Sequence, residues 1–296
     1  MTSISTGPLG PHSVRRMGYG AMQLAGPGVF GPPRDRNEAL AVLRHAVQRG
    51  VDHIDTSQYY GPDVVNELIY EALHPYPDGL HLVSKVGGRR DERGAWLPAQ
   101  RPEELRSGVE DNLRSLDVER LTAVNLRLME AAQVPLAEQL GTMQELVDEG
   151  KIELIGISNA DVPVVREALE QVPIACVQNA YSVIDRTHED VLELCAERGM
   201  AFVPFFPLGS AFTGGPAALA ADPAIAEVAE RHGATPAQVA LAWLLARDGH
   251  VLLIPGTASR GHLEENLDAA ELDLGAEDMA TLEQVRPVGN PLEGHN

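Results

Sequence analysis

Eight short apolar runs punctuate this 296-residue chain, and a helix-length stretch separates each from the next. They cover residues 17–22, 53–55, 80–86, 123–128, 154–158, 175–179, 201–204 and 251–255. Parallel neighbours in a sheet need long crossovers, which are usually helical. The intervening sequence supplies them. Residues 37–49 place Leu40, Leu43 and Val47 on one stripe and stop at Gly50. Residues 102–116 open on proline with two glutamates in the first turn, as a helix N-terminus does. Stretches 136–148, 162–171, 189–198 and 236–247 follow the same logic, and Gly150 and Gly199 sit where C-terminal caps belong.

Eight β/α units in a chain of this size predict an α/β fold of the closed (β/α)8 TIM-barrel type. No Ser/Gly-rich linker divides the chain, so residues 1–296 read as a single domain. An open doubly wound sheet is the competing architecture. It lacks support because "GYGAMQLAGPG" has glycines after the first run but neither a G-x-G-x-x-G pattern nor a helix behind it. Gly7-Pro8 and Gly10-Pro11 turns suggest an N-terminal hairpin closing the barrel floor.

Charge narrows the range of partners. With 23 basic and 43 acidic residues the formal charge is −20, which repels nucleic-acid backbones and anionic membranes. A phosphate-bearing cofactor would need a local exception to that field. Cys176 and Cys195 stand in apolar or helical contexts and read as buried thiols, not as a disulfide or metal framework. Residues 1–17 have no apolar signal core and no run is long enough to span a bilayer, so a cytoplasmic location is expected.

In such a barrel the chemistry gathers at the carboxyl ends of the strands. Those ends carry Asp55, Lys85, Arg127, Ser158-Asn159, Gln178-Asn179, Phe205-Phe206 and Gly256-Thr257. Each has an ordinary explanation alone: a turn cap, a surface lysine, a helix start. Together they describe one crowded polar rim. Lys85 in "HLVSKVG" has apolar neighbours, and a buried ammonium requires a carboxylate, for which Asp55 on the adjacent strand is the candidate. A phenol beside that ammonium would have its pKa lowered and could act as a general acid. "HIDTSQYYGP" offers two phenols, Tyr59 and Tyr60.

"DTSQYYG", "LVSKVG", "IGISNAD", "VQNAYS", "PFFPLG" and "IPGTASRGHLEENL" resemble, in order and spacing, the motifs of the aldo-keto reductase family. The resemblance covers almost the whole chain. It implies the same barrel and a metal-free hydride transfer between a nicotinamide cofactor and a small-molecule carbonyl or alcohol. The family places its acidic tyrosine directly before the glycine, which implies Tyr60 as proton donor, with Lys85 tuning it and Asp55 holding the lysine. Tyr59 becomes a pocket wall or packing residue.

The fourth strand departs from the pattern: "AVNLRLME" puts Arg127 where the family usually has histidine. Strand alternation directs Ala123, Asn125 and Arg127 inward, so Arg127 reaches the site. It can donate hydrogen bonds but cannot give up a proton.

The resemblance implies NADPH as cofactor. Gly20 and Met22 would lie against it, and Ser158, Asn159 and Gln178 would hold the nicotinamide amide. Phe205 would stack on the ring, and Leu208 and Ser210 would clasp the pyrophosphate. Gly256 and Thr257 would lie near the phosphates, Ser259 and Arg260 would bind a 2′-phosphate, and Glu265 and Asn266 would contact adenine. An ordinary exposed helix start competes for Ser259 and Arg260. His262 stands where many relatives have arginine. The opening "GYGAMQLAGPGVFGPPRDR" and "FVPFFPLG" resemble a branch containing bacterial pyridoxal reductases, which implies a small aromatic aldehyde substrate. Tyr59, Trp96 and Phe30 would then be candidate pocket walls, and Trp96 could equally be a packing anchor for its long loop. A cofactor-binding sensor with vestigial chemistry is the alternative that Arg127 suggests.

Overall fold

A computed structural model describes residues 5–129, 134–210 and 214–287. The chain opens with an antiparallel hairpin, β1 (Thr6–Leu9) against β2 (His12–Arg15). The barrel wall then begins with β3 (Tyr19–Gly20) and β4 (His53–Asp55). Next comes β5 (His81–Arg90), whose outer end turns back as antiparallel β6 (Trp96–Ala99). The wall continues with β7 (Leu121–Arg127), β8 (Ile152–Ser158), β9 (Cys176–Gln178) and β10 (Ala201–Phe202). These wall strands run parallel in the order β3-β4-β5-β7-β8-β9-β10.

Residues 251–253 close the ring. Phe202 bridges Val251 on one side and Met17 bridges Leu253 on the other. Leu252 N–H donates to the Phe202 carbonyl at 2.9 Å, and Gly18 N–H to that of Leu253 at 2.8 Å. The eighth strand is thus a pair of bridges, shorter than the run over 251–255 suggests. The seam explains two glycines. A Cβ on Gly20 would lie 2.3 Å from the Ile254 carbonyl, and one on Gly256 2.5 Å from that of Gly20. No side chain fits where the two backbones approach so closely.

The outer layer contains α1 (Arg36–Gln48), α2 (Val64–Leu73), α3 (Pro102–Leu116), α4 (Leu136–Asp148), α5 (Val162–Leu169) and α6 (Glu189–Arg198). It continues with α7 (Gly215–Ala221), α8 (Pro223–His232), α9 (Pro236–Arg247), α10 (Arg260–Asp268) and α11 (Ala276–Leu282). The β7 side chains show the two-sided wall. Val124 and Leu126 join the core beneath the helices, while Ala123 joins a smaller inner cluster. That inner cluster includes Leu9 and Val14 of the hairpin beside Val83, Cys176, Leu252 and Ile254. The hairpin therefore plugs the barrel floor with two fully apolar side chains, each worth about 1.5–3 kcal/mol when buried. Among the described residues no helix is long and apolar enough to cross a membrane.

Candidate active site

With the floor filled, the open space lies at the carboxyl ends of the strands, as a cavity of about 450 Å³. Its base is an ion pair. Asp55 and Val83 are register partners on β4 and β5, so Lys85 projects from the same face two residues further on. Lys85 Nζ donates to Asp55 Oδ1 and to the Thr56 carbonyl, the latter at 3.2 Å. Gln178 Nε2, from β9, donates to Asp55 Oδ2 at 2.9 Å. Asp55, Lys85 and Gln178 are all buried, and both carboxylate oxygens are satisfied, as a buried charge requires.

Tyr60 lines the cavity and Tyr59 does not. Lys85 Nζ stands 5.1 Å from the Tyr60 ring centroid. The Tyr60 hydroxyl makes no hydrogen bond to a described residue. Two other phenols are committed, Tyr19 to the Thr257 carbonyl at 2.6 Å and Tyr76 to that of Leu116 at 2.7 Å, while the hydroxyls of Tyr59 and Tyr181 are buried without a partner and outside the cavity lining. Tyr59 packs edge-on against Tyr60 and Trp96, with centroids 5.4 and 5.3 Å away. Burial pushes the Tyr60 phenol well above its ordinary pKa, the Asp55 carboxylate pushes it further, and the Arg127 guanidinium draws it back. The net direction is upward, opposite to the lowering expected from the lysine. Lys85 spends its charge on Asp55, and desolvation dominates a fully enclosed ring. The phenol is therefore protonated at neutral pH.

Arg127 ends β7 and reaches the cavity, as alternation requires. Its Cζ sits 5.0 Å from the Trp96 ring centroid, and Arg90 Cζ covers the same ring at 4.1 Å. Arg90 is anchored on the carbonyls of Gly94, Val29 and Gly28 at 2.7–2.9 Å. Arg127 has no ion pair or hydrogen bond among the described residues, and its Nε is buried without a partner. None of Tyr59, Trp96 and Phe30 lines the cavity: Tyr59 and Trp96 follow their packing alternative, and the expectation of Phe30 as a wall is corrected. Trp96 is the packing platform between two guanidinium groups, and Phe30 lies under Arg90 at 5.4 Å.

Of the residues implied for a cofactor, Gly20, Met22, Ser158, Gln178, Phe205, Leu208, Gly256 and Thr257 line the cavity. Gln178 Oε1 is buried without a partner, while its amide nitrogen is committed to Asp55. Phe206, one of the strand-end residues of the expected rim, lines the cavity too, as do Gln23 and Ala258, which the sequence did not single out. Gln23 belongs to a 3-10 turn over Ala21–Leu24, where the sequence pattern had continued the strand through Met22. His262 also lines the cavity.

The model of the aldo/keto reductase family matches residues 16–287. The chain belongs to that family. It is 48% identical to the pyridoxine 4-dehydrogenase of Escherichia coli K12 over 288 residues, 96% of this chain and 99% of the relative. An uncharacterised oxidoreductase of Schizosaccharomyces pombe is 34% identical, across 93% of this chain and 88% of its own. Among solved structures, an aldo/keto reductase from Klebsiella pneumoniae in complex with NADP and acetate superposes with a TM-score of 0.79. It shares 28% identity and 96% of each chain is covered.

The remaining expected cofactor residues of this aldo/keto reductase lie outside the cavity lining. Asn159 adopts φ 61° and turns its amide to the Leu128 carbonyl at 3.2 Å. Ser259 is the N-cap of α10, its hydroxyl accepting from His262 N–H. Arg260, the first helical residue, is held by Glu38 of α1. Its Nε lies 3.2 Å from both carboxylate oxygens, and its backbone N–H donates to Oε1, also at 3.2 Å. Glu265 is exposed and Asn266 is buried on α10, while Ser210 is half-buried. The helix-start reading of Ser259 and Arg260 is thus what the geometry presents, with an acidic partner that the sequence pattern did not reveal.

Proposed function

We propose that this enzyme reduces small aromatic aldehydes, pyridoxal among them, with NADPH as reductant and Tyr60 as general acid. The observation that carries the reading is the Tyr60 phenol. It is protonated, makes no hydrogen bond to a described residue and, unlike that of Tyr59, belongs to a side chain that lines the cavity above the Asp55–Lys85 pair. The cavity residues suit a nicotinamide. The orphaned Gln178 Oε1 can accept from a carboxamide N–H, and Phe205 offers a flat apolar face. When bound, the nicotinamide supplies the hydride that adds to the carbonyl carbon. Tyr60 then gives its proton to the carbonyl oxygen. Lys85 and Arg127 stabilise the phenolate left behind, and Asp55 with Gln178 fixes the lysine. The pyridoxine 4-dehydrogenase relative supports an aromatic aldehyde or its alcohol as substrate.

The test is NADPH oxidation by the purified protein with pyridoxal and with benzaldehyde. Turnover is expected with at least one of them. Tight NADPH binding with no turnover of either aldehyde would replace this reading with the sensor alternative.

Arg260 and Glu38 set a further expectation. A 2′-phosphate reaching Arg260 must compete with the Glu38 carboxylate for the same guanidinium. NADPH should bind more tightly than NADH. Arg260→Ala should narrow the gap about tenfold, the lower range for a charge-assisted contact. Glu38→Gln should widen it, because the competing anion is gone. Dissociation constants from cofactor fluorescence measure both, and equal affinities in the parent protein would remove the 2′-phosphate role.

A further inference from the structure

The cavity contains a cation that the protein leaves uncompensated. Lys85 is neutralised by Asp55, and the other Asp55 oxygen is taken by Gln178. Among the described residues no carboxylate pairs with Arg127 and no group accepts from its guanidinium. The nearest charge across Trp96 is of the same sign, since Arg90 stacks on that ring too. Arg90 spends its own donors on backbone carbonyls, so it adds positive field without drawing off any. In a chain with a net charge of −20, this is a local reversal of the surrounding field. A half-buried guanidinium without an anion is costly, so its partner belongs to the ligand.

A neutral carbonyl would supply negative charge only as the alkoxide develops, leaving the cation unpaired before reaction. A guanidinium also presents two N–H groups side by side, a fork that matches two adjacent oxygens. Stacking on Trp96 holds the plane of that fork. We infer that Arg127 selects carbonyl substrates carrying an anionic oxygen beside the carbonyl, with one arm of the fork on each oxygen. Two chemical sources provide this pattern: an aldehyde with an ionised ring hydroxyl at the ortho position, and a 2-oxo acid. The inference rests on the reductase reading with Tyr60 as acid. It adds a selection by substrate charge that the reading itself does not require. Pyridoxal, with a ring hydroxyl adjacent to its aldehyde, is a member of the first class.

The test uses two matched pairs, each reduced with NADPH. The first is 2-hydroxybenzaldehyde against 2-methoxybenzaldehyde, at a pH where the hydroxyl is ionised. The second is phenylglyoxylate against its methyl ester. The quantity read is the kcat/KM ratio of anionic to neutral member in the parent, Arg127→Gln and Arg127→Lys. Intrinsic reactivity and loss of folded protein divide out of the comparison between proteins. Arg127→Gln should lower the ratio by about 10- to 100-fold in at least one pair, mainly through KM, as expected for a charge-assisted contact. Arg127→Lys should recover part of it. The pair that responds identifies the source of the anionic oxygen. An unchanged ratio in both pairs, with the neutral members still reduced, overturns the charge selection alone. No reduction of any member by the parent overturns the reductase reading beneath it.

Discussion

Tyr60→Phe is expected to lower kcat for carbonyl reduction by about 10²–10⁴-fold, the usual contribution of a positioned general acid. NADPH affinity should hardly change, because the substitution removes one oxygen and keeps the ring against Tyr59 and Lys85. Tyr59→Phe should be mild, since Tyr59 does not line the cavity. Single-turnover hydride transfer on both variants separates the two phenols. Comparable losses, or a greater loss at Tyr59, would move the acid away from Tyr60. A pH profile gives a second readout. The acid must be protonated to act, and burial holds the Tyr60 phenol above its ordinary value of about 10. Reductive kcat/KM should therefore stay level from neutrality to at least about pH 10. Arg127 draws the phenol down, so Arg127→Gln should move the alkaline limb to higher pH.

Much of this arrangement was legible because it depends on local periodicity. The two-residue alternation through Ala123, Asn125 and Arg127 points Arg127 inward, and Arg127 lines the cavity. Gly50, Gly150 and Gly199 were readable as helix stops and take φ values of 90°, 76° and 68°, where other residues are strained. Contacts between distant segments were not legible. Glu38 and Arg260 are 222 residues apart, and no spacing rule joins them. For Trp96 the sequence left pocket wall and packing anchor both open, and only the return of β6 along β5, which sets the ring between Arg90 and Arg127, decides for packing. The short helix α7 is rich in alanine and has little amphipathic contrast, so it left no stripe to read. The direction of the Tyr60 shift also depended on enclosure, which a motif does not encode.

Lys85→Met should destabilise the protein by about 3–5 kcal/mol, because it strands the Asp55 carboxylate beneath the cavity. For a chain of 296 residues that corresponds to a fall in Tm of roughly 5–8 °C. Reduction should also fall, since the ammonium beside the Tyr60 ring is gone. The single variant therefore mixes a structural loss with a chemical one. Adding Asp55→Asn removes the stranded charge and separates them. The asparagine side-chain carbonyl still accepts from Gln178 Nε2, and its amide can turn toward the Thr56 carbonyl that the ammonium had used. Most of the lost stability should return in Lys85→Met/Asp55→Asn, while the rate of hydride transfer per folded molecule stays low. That outcome assigns the ion pair two separable tasks, one in holding the barrel interior and one in stabilising the phenolate of Tyr60. Recovery of both stability and rate would mean that Lys85 is scaffold, and the positive charge serving Tyr60 would then be that of Arg127 alone.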